Sequence, residues 1–281
     1  MDYKIKKISI EILTAILLIY SVTMAFIFAF PELVFYSPSP IASDISVAHK
    51  QGFDVVEVNY FSEDGTKLLG WITKPENKQK KMVVFFHGNS HNLERFIPKI
   101  KPIADAGFGT FMAKYRGFGT LKGKISQANL RADAIAAVRY LNSIGYENKD
   151  IVLYGLSLGS HMAINTAYNL RAEGDFEGVI LEVPFDNLVN VVNKLSPIRI
   201  PAWAIRDKYD NLEMIQGIGA PLLVLAAEQD ALVPSVLAKN LFNHANPPKR
   251  MKIFKKGGHS TLHYYKSYNT IIEWLKDNEK R

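Results

Sequence analysis

Short apolar runs alternate with helical stretches along most of this chain, and that alternation limits its fold more than any other feature. Strands of the buried type are predicted near residues 82–88, 109–115, 150–155, 178–183, 221–227 and 250–255, with helices near 93–106, 127–144, 158–172, 235–245 and 264–278. Apolar runs without polar alternation are typical of parallel strands that are covered on both faces. The pattern therefore predicts an α/β fold with a doubly wound, mostly parallel central sheet flanked by helices.

Two intervals depart from this rhythm. The segments 54–62 (DVVEVNYFS) and 67–73 (KLLGWIT) flank Asp64-Gly65, an arrangement typical of an antiparallel hairpin with a short turn. Between Phe185 and Ala220, an amphipathic run and a proline-containing stretch stand where the alternation would continue. An insertion between two central strands lies above their carboxyl ends, where open α/β sheets bind ligands. We therefore expect a short helical lid at about 186–219.

The amino-terminal region predicts a membrane helix. From Ile12 to Phe30 there are 19 residues without a charge, and Pro31 is a natural end. At a rise of about 1.5 Å per residue, such a run reaches about the thickness of a hydrocarbon core. A cleaved signal peptide is the alternative, but it needs a shorter apolar run followed by small residues, and AFIFAFPEL offers no good cleavage site. The pattern favours a single transmembrane anchor.

The charges around this run predict its orientation. Lys4, Lys6 and Lys7 precede it, whereas Glu32 and Asp44 are the first charges that follow. Cytoplasmic flanks carry the excess of Lys and Arg. We therefore expect a single-pass membrane protein with a cytoplasmic amino terminus and the rest of the chain across the membrane.

Composition limits the organisation and the partners. With 281 residues, 48% of them hydrophobic, the chain has material for one good-sized core plus an appendage. We divide it into an anchor at 1–31, a linker or loosely packed arm at 32–52 and one domain at 53–281. Lys and Arg outnumber Asp and Glu by 34 to 27, which fits ordinary surface charge or a surface near anionic lipid. No basic run interleaved with aromatic residues indicates nucleic-acid binding, so we expect none.

The sharpest local signal is Gly155-Leu156-Ser157-Leu158-Gly159. It lies between a predicted buried strand and a predicted helix, the setting in which G-x-S-x-G forms a sharp turn that exposes the serine hydroxyl. The following helix then directs backbone N–H groups toward the site where negative charge develops. Ser157 is therefore the candidate nucleophile, the alternative being a structural serine in a tight turn.

A serine hydroxyl needs an adjacent base, and that base an orienting carboxylate. In this kind of fold the order along the chain is Ser, acid, His, each after a strand. Asp230 in EQDALVP and His259 in KKGGHS fit that order. Glu228 and Asp186 stay open as alternative acids.

We expect no metal or other cofactor. The chain has no cysteine, which excludes Cys-ligated zinc as well as disulfides. His87 and His91, like His259 and His263, have a spacing that forms half of a zinc site on a helix, but neither pair encloses the Glu of an HExxH motif. His161, one turn into the helix after Ser157, is expected to be packed rather than catalytic.

Six segments carry a resemblance to a known family. The sequence is similar to the α/β-hydrolase superfamily, and more narrowly to the Bem46-like and S33 serine aminopeptidase-like groups of serine hydrolases, the first of them membrane-tethered. The matching segments are FFHGNSHN (85–92), YRGFG (115–119), YGLSLGS (154–160), VPFDN (183–187), EQDALVP (228–234) and GGHS (257–260).

The resemblance implies an α/β-hydrolase fold for the domain and a catalytic triad of Ser157, Asp230 and His259. It also implies an oxyanion hole formed by the backbone N–H groups of Asn89 and Leu158. The chemistry implied is hydrolysis of ester, thioester or amide bonds, often of lipid-like acyl groups, without a metal. The expected substrate is then a small molecule, an acylated lipid or an acylated protein at the membrane.

Some residues depart from the family pattern or have other roles. Lys114 stands where members of the group often carry an acidic residue before YRG, and the lid matches no substrate class. The sequence HGN in place of HGGG argues against the hormone-sensitive-lipase type of oxyanion loop. Arg116 is expected to bond loop carbonyls. An aminopeptidase-like peptidase and a non-catalytic binding protein on the same fold are the alternative functions.

Overall fold

The structure of the chain is a computed structural model that describes residues 2–77 and 81–279. The first residue of the predicted anchor, at position 1, and the last two residues of the predicted domain lie outside the described residues, as do residues 78–80.

The described residues form one eight-stranded sheet in the spatial order β1-β2-β4-β3-β5-β6-β7-β8. The strands are β1 (Val56–Phe61), β2 (Lys67–Thr73), β3 (Met82–Phe86), β4 (Gly109–Lys114), β5 (Ile151–Leu156), β6 (Gly178–Glu182), β7 (Leu222–Ala227) and β8 (Lys249–Phe254). Strands β1 and β2 pair antiparallel, as do β2 and β4, and all other neighbours pair parallel. The predicted mostly parallel sheet with an antiparallel start is confirmed.

The helices cover both faces of this sheet. They are α1 (Asp2–Ala29), α2 (Pro31–Phe35), α3 (Ile45–Lys50), α4 (Ile97–Asp105), α5 (Gln127–Ser143), α6 (Leu158–Leu170), α7 (Leu188–Leu195), α8 (Leu212–Ile215), α9 (Ser235–His244) and α10 (Ser267–Asn278). Strand β3 explains the absence of polar alternation: Val84 packs into the hydrophobic cluster on one face, while Val83 and Phe85 pack into the cluster on the other. Both faces exclude water, so apolar side chains point both ways.

Helix α1 contains an apolar stretch, Ile5–Ala29, in which an 18-residue window has a mean hydropathy of 2.4 and only 6% of its residues buried. By length and composition it is long enough to cross a bilayer. The predicted long apolar helix at the amino terminus is confirmed.

The segment 32–52, predicted to be a linker or a loosely packed arm, contains helices and buried side chains. It contains the end of α2 and all of α3, and the side chains of Tyr36 and Ala48 are buried. The Tyr36 hydroxyl donates to Asp207 at 3.3 Å and is also bonded to the Tyr209 hydroxyl. Partners about 170 residues away hold this arm, and no local pattern could reveal them.

The predicted lid at 186–219 contains the helices α7 and α8, which lie between β6 and β7. The side-chain oxygen of Asn187 accepts the Asn190 N–H at 2.8 Å and so begins α7. Asn211 ties α8 to the sheet edge, because its side-chain amide donates to the Phe185 carbonyl at 2.7 Å. Of these two bonds, the one from Asn211 holds the segment 186–219 to the chain that directly follows β6.

Candidate active site

Ser157 lies on the turn between β5 and α6. Its backbone has φ +53° and ψ −115°, a left-handed conformation that non-glycine residues rarely adopt. A Cβ on Gly155 would lie 2.3 Å from the Gly159 carbonyl oxygen, and one on Gly159 would lie 1.9 Å from that of Phe86. Both glycines are thus required by close backbone approach, and this explains the G-x-S-x-G pattern physically.

His259 lies between Ser157 and Asp230. Its Nε2 is 2.9 Å from the Ser157 Oγ, and its Nδ1 is 2.8 Å from the Asp230 Oδ2. With the proton on Nδ1, the ring donates to the carboxylate, and its Nε2 lone pair accepts the serine O–H. The arrangement is a hydrogen-bonded chain in which the imidazole can take the hydroxyl proton.

Backbone groups hold Asp230 in place. Its Oδ1 accepts the N–H groups of Leu232 at 2.9 Å and Val233 at 2.7 Å, which leaves Oδ2 for the imidazole. The two alternative acids are not part of this hydrogen-bonded chain. Asp186 binds the side-chain amides of Asn190 and Asn240 at 2.9 and 2.8 Å, and Glu228 is exposed to solvent.

The amides expected to form an oxyanion hole lie on two loops beside Ser157. Both Asn89 and Leu158 line the same cavity as Ser157, and within the described part of the chain neither backbone N–H donates a hydrogen bond. The Asn89 carbonyl accepts the Ser37 N–H at 3.0 Å, and its side-chain amide donates to the Phe35 carbonyl at 2.9 Å. These bonds fix the loop and leave its N–H available to a ligand.

A cavity of about 360 Å³ opens onto Ser157. Its wall comes from three parts of the chain: the arm, the lid helix α7 and the loops at the strand ends. The lining residues are Val34, Phe35, Tyr36, Asn89, Ser157, Leu158, Phe185, Leu188, Val191, Val192, Leu195, Ser196, Tyr209, Leu232 and Val233. Most are apolar and none is Asp or Glu, so this cavity favours an uncharged, hydrophobic group.

Two other histidines of the region, His87 and His161, are buried. His161 is buried on α6, where its Nδ1 donates to Asn211 at 2.7 Å and its Nε2 accepts the Arg131 Nε–H at 2.8 Å. Burial lowers its pKa from 6.5 to about 3. His87 is buried among aromatic rings, and burial likewise lowers its pKa to about 3. Among the residues that the structure describes, no group of three or more His, Asp or Glu side chains is arranged to hold a metal ion.

Two basic side chains have roles that the sequence did not predict. Arg116 binds carboxylates rather than loop carbonyls: its Nη2 is 2.6 Å from Asp133, and its Nη1 is 2.5 Å from Asp64. Lys114 is buried at the end of β4, and this desolvation lowers its pKa. Its Nζ donates to Ser43 at 2.9 Å and to Asn92 at 3.2 Å. It therefore joins the arm to the loop that contains Asn89.

Sequence reasoning also missed residues that shape the site. Val34, Phe35 and Tyr36 line the cavity, and the apolar run LVFY directly after Pro31 was the available signal. Glu182 ends the apolar strand β6; its carboxylate is 2.5 Å from the Lys99 ammonium, and its carbonyl accepts the Ser157 N–H at 2.9 Å. The only sequence signal for Glu182 is that a charged residue ends the apolar run GVILE.

Comparison with known proteins places this geometry in a family. Residues 77–212 match the family model described as serine aminopeptidase, S33. An esterase structure from Pyrococcus furiosus superposes with a TM-score of 0.70 over 86% of this chain and 97% of that chain, at 19% identity. The chain has the α/β-hydrolase fold, and nearly half of it matches this family model.

Sequence relatives cover most of the length of this chain. The uncharacterized protein YfhR of Escherichia coli K12 is 28% identical over 243 residues, 83% of this chain and 78% of the relative. The uncharacterized membrane protein YNL320W of Saccharomyces cerevisiae is 27% identical, covering 81% of each chain. The lysophosphatidylserine lipase ABHD12 of Xenopus tropicalis is 26% identical over 67% of this chain and 53% of the relative. The predicted resemblance to the α/β-hydrolase superfamily is confirmed.

Proposed function

We propose that this α/β hydrolase is a serine hydrolase that cleaves ester or thioester bonds of lipid-like acyl substrates at a membrane. The observation that carries the proposal is the position of His259, within hydrogen-bond distance of both the Ser157 hydroxyl and the Asp230 carboxylate. A chain of this kind supplies the proton transfer that a serine nucleophile needs.

In the first half of the reaction, the Ser157 Oγ attacks the acyl carbonyl carbon while its proton moves to the His259 Nε2. The imidazolium is stabilised by Asp230, and the oxyanion accepts hydrogen bonds from the Asn89 and Leu158 amides. Collapse of the tetrahedral intermediate breaks the bond to the alcohol or thiol. The leaving group takes the proton from His259, and an acyl-enzyme remains.

In the second half, water takes the place of the leaving group. His259 accepts a proton from this water, whose oxygen attacks the acyl carbon and forms a second oxyanion in the same hole. When this intermediate collapses, Ser157 regains the proton from His259 and the free carboxylic acid departs. No metal or other cofactor takes part in the proposed sequence.

The cavity and one relative support a lipid-like acyl substrate. The wall of the cavity is apolar, so it stabilises a hydrocarbon chain and leaves the reacting carbonyl beside Ser157. The name of the Xenopus relative states that it is a lysophosphatidylserine lipase. We extend from it only the chemical class, an acyl ester of a membrane lipid.

A peptidase is the second candidate, because the matching family model is described as serine aminopeptidase. An aminopeptidase binds the charged amino group of its substrate, and a carboxylate is the usual partner of such a group. The described residues that line the cavity include no Asp or Glu. The structure therefore favours the ester hydrolase.

Turnover of chromogenic substrates separates the two. We expect hydrolysis of p-nitrophenyl esters that improves from acetyl to medium-chain acyl groups, loss of that activity in Ser157→Ala, and little action on aminoacyl p-nitroanilides. Faster cleavage of the anilides would favour the peptidase. A folded protein inactive on both would contradict the proposed hydrolase and favour a binding protein.

We also propose a location and a division of the chain. The anchor occupies 1–31 and spans the membrane with its amino terminus in the cytoplasm, and the hydrolase domain at 53–281, with its lid at about 186–219, lies on the far side. The lysines before the apolar run support this orientation. External protease added to intact cells should degrade the domain, and full protection would reverse the orientation.

A further inference from the structure

The anchor does not leave the domain as a free tether but packs against the lid. Met24 on α1 is fully buried in a hydrophobic cluster with Ile200, Ala204 and Ile205 of the lid. Tyr20, one turn earlier on α1, donates its hydroxyl to the Arg199 carbonyl at 3.1 Å. The lid segment 199–205 therefore lies alongside the carboxyl-terminal third of the anchor.

This packing fixes the depth of the lid relative to the apolar helix. From Tyr20 to Phe30 the helix rises about 15 Å, roughly half the thickness of a hydrocarbon core. Over the same stretch, Val22, Phe26 and Phe28 on the other faces of α1 remain exposed. These side chains need lipid around them, so lipid at that level must also reach the lid.

The lid surface is suited to such an environment. Leu195, Ile198 and Trp203 are exposed, with Trp203 62% accessible, and Leu33 and Val34 of the arm are exposed beside them. Exposed apolar residues in one contiguous region, next to an apolar helix, are typical of membrane contact. Tryptophan in particular concentrates at the membrane–water interface.

Within the lid, the segment 188–206 has the charge that an anionic lipid headgroup layer attracts. From Leu188 to Arg206 there is no Asp or Glu, and Lys194 and Arg199 are exposed. Arg206 is also exposed, and its guanidinium lies 4.0 Å from Glu32 and 3.8 Å from Asp207. Long basic side chains extend their charged ends to the headgroups while their methylene stems remain among acyl chains. Each such residue gains about 1 kcal/mol near an anionic surface.

We propose that the lid and the arm, at 33–34 and 195–206, form a face that inserts into the same leaflet as the carboxyl-terminal end of the anchor. Its partner is the lipid bilayer itself. The face is continuous with the anchor through the Met24 cluster and carries its own apolar and basic residues. The anchor therefore holds the domain in one orientation as well as at the surface.

Insertion brings the cavity to the acyl chains. Leu195 belongs to the exposed face and also lines the cavity, and so does Val34 of the arm. An acyl chain can pass between these two side chains from the leaflet to Ser157 without crossing water. This last step rests on the proposed function, whereas insertion of the lid does not.

Trp203 is a natural probe of the proposal. The chain has three tryptophans, Trp71, Trp203 and Trp274, and the side chains of the other two are buried in the domain. The full chain is reconstituted into vesicles of phosphatidylcholine and phosphatidylglycerol, with part of the phosphatidylcholine brominated on its acyl chains. The Trp203 signal is the difference between the native chain and Trp203→Phe.

A matched control moves the probe toward the amino ends of the strands, whereas the lid follows the carboxyl end of β6. Ile144 is also exposed. It is the C-cap residue of α5, and the loop that follows it leads to the amino end of β5. The double variant Trp203→Phe with Ile144→Trp therefore reports an exposed tryptophan far from the lid. Aqueous iodide serves as the complementary quencher for both.

We expect brominated lipid to quench Trp203 severalfold more strongly than the tryptophan at 144, and iodide to show the reverse order. Equal quenching of both positions by brominated lipid would overturn the proposal. The same vesicles are treated with a fluorophosphonate that labels active serine hydrolases. Labelled protein with unquenched Trp203 would refute insertion alone, and quenched Trp203 without labelling would refute the hydrolase alone.

Discussion

The two oxygens of the Asp230 carboxylate have separate partners, and this division makes the residue specific. Oδ1 accepts two backbone N–H groups, whereas Oδ2 accepts the His259 Nδ1–H. Only a carboxylate at this position offers one acceptor oxygen to the backbone N–H groups and a second one to the imidazole N–H. The neighbouring Glu228, exposed and two residues earlier, tests whether any nearby acid suffices.

Asp230→Asn should lower kcat for a p-nitrophenyl ester on the order of 10⁴-fold, because the amide donates to Nδ1 and leaves the proton on Nε2, where the base must be free. Glu228→Gln is the matched control and should retain activity within about twofold. Equal losses in the two variants, measured by steady-state kinetics on protein of equal thermal stability, would show that Asp230 has no specific role.

Residues differ in how well their roles can be predicted from the sequence around them. Ser157, Asp230 and His259 follow predicted parallel strands, whose carboxyl ends lie at the same end of the sheet, so their convergence there could be predicted. Tyr36 and Glu182 could not be predicted in this way. Tyr36 depends on Asp207 and Tyr209, far along the chain, and Glu182 on a lysine from a different element. Side-chain partners of this kind become visible only when the elements are packed.

At the scale of elements, the turn from β5 to α6 depends on glycines, which have no side chain, on both sides of Ser157. Helix α6 starts so close to β3 that a Cβ on Gly159 would lie 1.9 Å from the Phe86 carbonyl oxygen. The two backbone segments in this contact belong to a strand and a helix. Moving either of them would break hydrogen bonds of regular secondary structure. The turn is therefore intolerant of even a methyl group.

Gly159→Ala should lower the midpoint of thermal unfolding by several degrees or prevent folding, because the strand and the helix must separate to admit the methyl group. Gly88→Ala is the control, since its Cβ would lie 3.6 Å from the nearest atom, an ordinary van der Waals distance. Equal midpoints for both variants would contradict the packing of this turn.

Helix α6 is also joined to the lid through a neutral histidine. His161 donates to Asn211 and accepts from Arg131, so a second ring proton would face the guanidinium. Its pKa in the folded protein is about 3, below the usual 6.5. The unfolded state therefore binds the proton more tightly, and the stabilisation is complete above pH 6.5 and is lost as the pH falls toward 3.

At pH 5, this single group should lower the free energy of unfolding by about 2 kcal/mol relative to neutral pH. His161→Gln should flatten the decline of the thermal midpoint between pH 7 and pH 5. His244→Gln, at an exposed position on α9, is the control and should leave the decline unchanged. An unchanged decline in both variants would mean that His161 does not stay neutral in the fold.

For the molecule as a whole, the anchor and the lid form one packed unit. Met24 is buried against the lid, whereas Val22, two residues earlier on the same helix, is 60% exposed. The two side chains differ little in size but greatly in what they contact. Truncating each to alanine therefore separates a protein contact from a lipid contact.

Replacing a buried methionine by alanine typically destabilises a protein by about 2–5 kcal/mol. We expect Met24→Ala to lie near the lower end of this range, because detergent or lipid fills part of the space that the side chain leaves. Val22→Ala should change the thermal midpoint in detergent by no more than the error of the measurement. Similar shifts in both variants would show that α1 is a free tether.

Much of the architecture followed from the alternation of apolar runs, since all six predicted buried strands lie within two residues of the observed ones. The position of β4 outside β3 did not, because alternation gives chain order and not spatial order. The prolines of the segment 32–52 predict a linker or a loosely packed arm, and they give no sign that its apolar residues line the cavity. Prolines restrict the backbone but do not prevent side chains from packing.

The most direct test of the proposed hydrolase is the site of modification by a fluorophosphonate. Mass spectrometry of the full chain, treated in detergent at neutral pH and then digested, should show one adduct on the peptide that contains Ser157. The adduct should be absent in Ser157→Ala and formed far more slowly in His259→Ala. Folded native protein that takes no adduct, or takes it on another serine, would contradict the assignment.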